Sequence, residues 1–246
     1  MRRLPAAAAD QILVLVFVLC AIPEPARATQ GVASYKHELK KIEDHLRAGE
    51  WQPAKDSSDR LLKDLIQEYS RGKGSRPLFG LTLAFRGIAE SGLGDLVAAT
   101  WDWTAAGLVS PESTQFDPSR FGAAGRALHD GAGWPVEAKH LSTYEGVQDG
   151  LVPPKKASGE HPVYSLTSRE AGFEGTVSVQ MVIDASGRPA AVIRLDAKAL
   201  NEHTAVVVST LETIRSWRFE PATFDGVPVN VYWDLTVSYR LERGPH

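Results

Sequence analysis

The sequence contains almost no cysteine, since Cys20 is the only one among its 246 residues and lies in an apolar N-terminal run. Disulfide frameworks, thiolate zinc sites and a cysteine nucleophile are therefore excluded. The sequence also lacks a large excess of either sign of charge, because 27 basic and 30 acidic side chains leave a net charge of -3. This balance argues against a nucleic-acid-binding protein. With 43% hydrophobic and 23% charged residues, the chain has the composition of a globular protein of one or two domains.

Long hydrophobic runs are absent as well, and a short one at residues 12–22 follows two arginines at the N-terminus. Eleven helical residues reach only about 16 Å, against about 30 Å of hydrocarbon in a bilayer. Ala-Arg-Ala at 26–28 has the small-x-small pattern that signal peptidase cleaves. We therefore predict a signal peptide at residues 1–28 and an exported mature chain. The alternative is an uncleaved membrane anchor at residues 6–22.

Between residues 35 and 107 the apolar residues are spaced as on one face of a helix. Glycines and proline interrupt this spacing at residue 49, at residues 71–77 and at residues 92–94, and each interruption is expected to end a helix. The pattern predicts paired amphipathic helices in a domain at residues 29–110.

Two segments of this helical half, at residues 49–54 and 94–99, each follow one helix and open the next. Each has a glycine, a large apolar residue and an alanine at matching positions, which resembles the turn of a tetratricopeptide repeat. A plain pair of helical hairpins is the alternative, because a solenoid needs about three repeats. Residues 111–149, rich in proline and glycine, are expected to form a partly ordered linker with one short helix at about 119–129.

The last hundred residues alternate between apolar and polar positions. A strand at 176–184, a turn at 184–187 and a return strand at 189–195 predict a hairpin, and an amphipathic helix follows at 201–216. The final run alternates longest, over residues 229–241, and predicts a strand about 40 Å long. Its apolar face carries Val229, Val231, Trp233, Leu235, Val237, Tyr239 and Leu241. The predicted fold class is α+β, with helical hairpins followed by a small antiparallel sheet that packs a helix on its apolar face.

Four motifs in this region occur in the order and spacing of the TonB C-terminal domain, which the region resembles. They are Val-Pro-Pro-Lys at 152–155 with Pro-Val-Tyr at 162–164, the segment 169–177 with its Gly-Phe-Glu-Gly, Ile-Asp-Ala-Ser-Gly at 183–187, and Trp-Arg-Phe-Glu-Pro-Ala at 217–222 followed by Asp-Gly-Val-Pro-Val at 225–229. The resemblance covers about residues 150 to 242, in a domain placed at 150–246. Ser165 departs from it, since the family usually has proline there. The resemblance implies periplasmic protein binding, in which a short extended peptide of an outer-membrane receptor joins the sheet as a strand.

The final strand is the candidate binding site, because a strand at a sheet edge offers unpaired backbone groups to an extended peptide. Tyr232, Asp234, Thr236 and Ser238, on the face opposite the apolar one, are the candidate partner-binding residues. The alternatives are that this edge pairs with a second copy, forming a homodimer, or with a neighbouring loop of the chain.

Signals of catalysis are weak. The seven histidines form no metal-binding pair at helical spacing, and no nucleophile-elbow pattern occurs. We assign no catalytic, metal-binding or cofactor-binding residue and no cofactor. The favoured function is a non-catalytic periplasmic interaction protein whose partners are proteins such as outer-membrane receptors, with no nucleic acid, and with membrane contact only if the N-terminal segment is retained. The alternative is a membrane-anchored energy transducer of the TonB type.

Overall fold

A computed structural model of the chain describes residues 29–69, 75–131, 139–140, 150–161 and 173–241. The predicted signal peptide at 1–28, the alternative anchor at 6–22 and the motif at 162–164 lie outside these residues. The helical half consists of α1 (Thr29–Ala48), α2 (Trp51–Tyr69), α3 (Arg76–Gly92) and α4 (Leu96–Val109). The predicted helical hairpins are confirmed, while the assignment to tetratricopeptide repeats stays a prediction.

Two glycines make the tight turns of these hairpins. Gly49 between α1 and α2 has a φ of 72°, and Gly94 between α3 and α4 has a φ of 86°, a region that other residues rarely adopt. A third glycine, Gly92, lies under the ring of Trp51, where a Cβ atom would come within 2.2 Å of the ring. The first hairpin therefore packs closely on the second at this point.

The predicted linker is ordered where it contacts the helical half. It forms 3-10 turns at Pro111–Thr114 and Pro118–Phe121, and then α5 (Gly122–His129), close to the helix predicted at about 119–129. Phe121 contacts Phe85 of α3 edge to face, with ring centroids 6.1 Å apart. Burial of aromatic surface thus holds this segment against α3.

The C-terminal half contains a sheet of four strands, β1 (Lys139–His140), β4 (Gly175–Ile183), β5 (Pro189–Leu195) and β9 (Val231–Tyr239). Their order in the sheet is β1-β9-β4-β5. The helices α6 (Ala197–Glu202) and α7 (Thr204–Arg215) connect β5 to the strands that follow. Short strands β2 (Leu151–Val152), β3 (Lys155–Ser158), β6 (Arg218–Glu220), β7 (Thr223–Phe224) and β8 (Val227–Pro228) form two smaller antiparallel sheets. This is the predicted α+β fold.

Two predicted elements differ in length from the observed ones. The predicted 13-residue strand at 229–241 is the nine-residue β9, because β4, the strand with which it pairs, also has nine residues. The helix predicted at 201–216 is divided at His203, whose φ of -143° and ψ of 53° are not helical. Asp196 caps α6 by accepting hydrogen bonds from two backbone amides, which accounts for the separate first turn.

A cluster of buried and half-buried charged residues, hereafter the junction cluster, joins the two halves of the fold. It consists of Asp59 of α2, Arg86 and Glu90 of α3, Asp102 of α4, and Glu212 and Arg215 of α7. Arg86 is at its centre, with its side chain 1% exposed, and its Nε donates to Asp102 at 2.5 Å. The same guanidinium donates to both carboxylate oxygens of Glu212, at 2.7 and 2.5 Å. Although burial opposes the charge of Arg86, the carboxylates of Asp102 and Glu212 outweigh it and hold its pKa well above the usual range.

Glu90 makes this cluster sensitive to pH. Burial, followed by the nearby carboxylate of Asp102, raises the pKa of Glu90 from 4.5 to about 8, although Arg215 and Arg86 oppose the shift. Glu90 also leaves Oε2 without a hydrogen-bond partner among the described residues.

We expect the stability of the protein to fall as the pH rises from about 4.5 to about 8. The folded state retains the Glu90 proton in this range, whereas the unfolded chain loses it near pH 4.5, so the unfolded state binds fewer protons. Glu90→Gln removes this titration and should flatten the dependence. Thermal midpoints of both proteins between pH 5 and 9 test this. Parallel curves for the two proteins would contradict it.

Candidate functional site

The outer edge of β9 is the candidate site. On its inner side, β9 pairs with β4 over nine residues without a register shift. On its outer side, Val231 and Tyr232 pair in parallel with β1. From Trp233 to Tyr239 no other strand of the described part of the chain pairs with this edge. A segment of the predicted linker thus occupies the beginning of the edge, as the neighbouring-loop alternative expects, and no strand of the described ranges covers the rest.

The direction of the backbone groups along β9 follows from a hydrogen bond on β4. The carbonyl oxygen of Ser178 accepts from the amide of Asp196, so the Ser178 backbone points away from β9. Thr236 lies directly opposite Ser178. In an antiparallel pair the two backbone groups of a residue point to the same side, and this side alternates along the strand. The amide and carbonyl of Thr236 therefore point outward, and so do those of Asp234 and Ser238.

The four predicted partner-binding residues lie together on one face of β9. Asp234, Thr236 and Ser238 are exposed and Tyr232 is half-buried. The hydroxyl of Thr236 lies 3.1 Å from that of Ser178 across the strand pair. Asp234, Thr236 and Ser238 therefore supply outward backbone groups as well as a polar face, whereas the outer side of Tyr232 already pairs with β1. The role of all four residues in partner binding stays a prediction.

Three apolar residues lie on the opposite face of β9, along the same edge as the predicted partner-binding residues. Trp233, Leu235 and Val237 are only half-buried and pack at the border of the core. A strand added to β9 would cover the apolar surface that they leave exposed. The alternating pattern shows that these three residues lie on the same face of β9, but it does not show that β9 is an edge strand of the sheet.

One end of β9 is fastened to α7. The hydroxyl of Tyr239 lies 2.6 Å from that of Thr210, and both side chains are buried. Burial raises the pKa of Tyr239, and the hydrogen bond with Thr210 opposes that shift only in part. The C-terminal end of the edge is therefore held in place by a neutral hydroxyl pair.

The second edge of the sheet, at β5, is closed. Pro189 begins this strand and has no amide to donate, and the pairing of β5 with β4 shifts register at two points. The amide of Val192 points out of the sheet and donates to the hydroxyl of Thr104 on α4, at 2.9 Å. These features are ways in which proteins protect a sheet edge from pairing. Of the two edges, β9 is the one that the described residues leave unpaired, from Trp233 to Tyr239.

Two other kinds of site were sought within the described ranges. No group of three or more His, Cys, Asp or Glu side chains there is placed to hold a metal ion. No helix in these ranges is both long and apolar enough to cross a bilayer.

Comparison with known proteins identifies the domain that carries this edge. Residues 160–241 match the family model of the Gram-negative bacterial TonB protein C-terminal domain. The chain is also 33% identical over 81 residues to Protein TonB of Vibrio cholerae serotype O1, an alignment that covers 33% of this chain and 32% of that protein. The chain thus spans about a third of the length of that relative. Residues 160–241, which include β4, β5, α7 and β9, therefore match the TonB C-terminal family, and the chain joins this region to a helical half.

Proposed function

We propose that the protein is a non-catalytic interaction protein of the periplasm, which binds an extended peptide of a partner by adding it to β9 as a strand. An outer-membrane receptor is the partner that the family membership favours. The observation that carries the proposal is the asymmetry of the sheet, in which β5 is closed by α4 while β9 is accessible from Trp233 onward. Strand addition needs an accessible edge with outward backbone groups, and β9 provides both.

Backbone pairing alone gives weak binding. Five hydrogen bonds of about 1 kcal/mol each correspond to an affinity between millimolar and high micromolar. Side chains must supply the remainder. The exposed parts of Trp233, Leu235 and Val237 favour a partner strand whose alternate residues are apolar, while Asp234 and Thr236 contact its other face.

The alternative function is a membrane-anchored energy transducer, in which residues 6–22 are retained. The similarity to Protein TonB of Vibrio cholerae is the observation that favours it. N-terminal sequencing of the protein from the bacterial envelope separates the two functions. A chain that begins at Thr29 supports the periplasmic protein, whereas an intact N-terminus supports the transducer.

Thr236→Pro should weaken peptide binding by at least about tenfold, because it removes an outward donor from the edge and places a ring there. Thr236→Ala, which keeps the amide, should change the affinity by less than about threefold. Isothermal titration with a synthetic peptide copied from a periplasmic segment of an outer-membrane receptor measures both.

Circular dichroism must first show that Thr236→Pro is folded, which is expected because proline is tolerated where an edge amide faces solvent. Leu235→Pro is the matched control. Its amide points towards β4, so this substitution should break the ladder and unfold the domain. Equal affinities of folded Thr236→Pro and Thr236→Ala would exclude strand addition at β9.

A further inference from the structure

The helical half contacts the TonB-like domain at the edge that is closed. Ala190, Ala191 and Val192 of β5 are at most 2% exposed. The hydroxyl of Thr104, which accepts from the Val192 amide, also donates to the backbone of its own helix, so its orientation is fixed by bonds on both sides. The α4 helix thus occupies the position that a fifth strand would take beside β5.

The junction cluster holds α4 in this position. Arg86 bridges Asp102 of α4 to Glu212 of α7, and Arg215 of α7 bonds to Glu90. Outside the cluster, Arg188, just before β5, donates to both oxygens of Asp95 at the start of α4, at 2.9 and 3.0 Å. Ion pairs therefore fix α4 to the sheet domain beside β5 and at α7.

We propose that the helical half is an edge cover, which directs strand addition to β9 and keeps β5 from pairing with the β5 strand of a second copy. The proposal rests on strand addition as the proposed function. It gives the helical half a role within that function, since a domain with two accessible edges would bind strands on both sides and would associate with itself. With the cover in place, the chain presents one edge.

The test displaces the cover in the full-length chain. Glu212→Arg places a like charge against Arg86, while Glu212→Gln keeps the size of the side chain and one of its two acceptor oxygens, without adding a positive charge, and is the control. Glu212 is 27% exposed and lies on α7 outside the apolar core, so the sheet should remain folded. Hydrogen exchange of the Val192 amide reports the cover, and sedimentation velocity reports self-association.

In Glu212→Arg we expect the Val192 amide to exchange at least about tenfold faster, and the chain to form dimers, whereas Glu212→Gln stays monomeric like the parent protein. Adding Val192→Pro to Glu212→Arg should restore the monomer, because it removes the donor that the uncovered edge exposes. If Glu212→Arg is unfolded by circular dichroism, Arg188→Glu, which reverses the partly exposed pair with Asp95, takes its place in the same comparison.

Three results would overturn the proposal. The first is unchanged protection of the Val192 amide in Glu212→Arg, which would mean that the ion pairs do not hold the cover. The second is loss of this protection without the formation of dimers. The third is dimers of Glu212→Arg that persist when Val192→Pro is added. The dimer measurement needs no peptide, so it is independent of the Thr236 variants. If the peptide fails to bind at β9 while the β5-dependent dimer forms, the proposed function is excluded and the edge cover stands. If the peptide binds at β9 and no β5-dependent dimer forms, the edge cover is excluded and the proposed function stands.

Discussion

Replacing Arg86 by methionine should lower the free energy of unfolding by about 3 to 5 kcal/mol, the cost of breaking a buried ion pair from one side. Asp102, which is 0% exposed, would lose both of its hydrogen bonds from Arg86. Glu212 would lose its two bonds as well. Methionine is about as long as arginine's aliphatic chain, so most of the effect reflects carboxylates left without their partner. Urea denaturation at pH 7 measures the loss.

Lys40→Met is the matched control for this prediction. Lys40 also pairs with a carboxylate, that of Asp44 at 2.5 Å, but both side chains are about 60% exposed. Exposed pairs one helical turn apart contribute about 0.3 to 0.5 kcal/mol, so this variant should remain close to the parent protein. If both variants lose similar amounts, the junction cluster does not stabilise the fold through its charges.

Trp217→Ala should lower the free energy of unfolding by about 3 to 5 kcal/mol, as removal of a buried tryptophan usually does. Trp217 is buried, with 5% of its surface exposed. Its ring packs over Gly159, where a Cβ atom would come within 2.3 Å of it, and its Nε1 donates to the carbonyl of Glu160 at 2.7 Å. Lys156 lies over the ring, with its Nζ 3.8 Å from the ring centroid.

Trp217→Phe separates the packing of the ring from its hydrogen bond. It keeps an aromatic ring but cannot donate to Glu160, so it should lose less than half as much stability as the alanine variant. Urea denaturation monitored by circular dichroism serves for both variants. A loss below 1 kcal/mol for Trp217→Ala would show that the ring contributes little to the core.

The sequence predicted the helices and strands well, because their signals are local. The helical hairpins depend on spacings of three and four residues and on turns at Gly49 and Gly94, which need a positive φ. The hairpin of β4 and β5 depends on the alternation of apolar and polar residues and on Asp184, whose side chain accepts hydrogen bonds from backbone amides of the turn. The motifs of the TonB C-terminal domain are likewise short segments with fixed spacing, and the family match at residues 160–241 covers all of them except Val-Pro-Pro-Lys at 152–155.

The candidate site was predicted in part. Alternation placed Tyr232, Asp234, Thr236 and Ser238 on one face, which the fold confirms. It could not show that β9 is accessible while β5 is closed, since this depends on Thr104, which lies 88 residues before Val192 in the chain. Nor could it show that Trp233 and its apolar neighbours are only half-buried, because alternation does not distinguish an edge strand from a central one.

The sequence by itself determined which segments are helices and strands, which face of each is apolar, and which family the C-terminal region resembles. Only the tertiary structure decided which edge of the sheet the described residues leave unpaired and how the two halves join, because both depend on residues far apart in the chain. Arg86 and Glu212 are separated by 126 positions, and as isolated residues on two helices they have the pattern of ordinary surface charges. Their pairing arises only when α3 and α7 pack together, where burial forces each charge to find a partner.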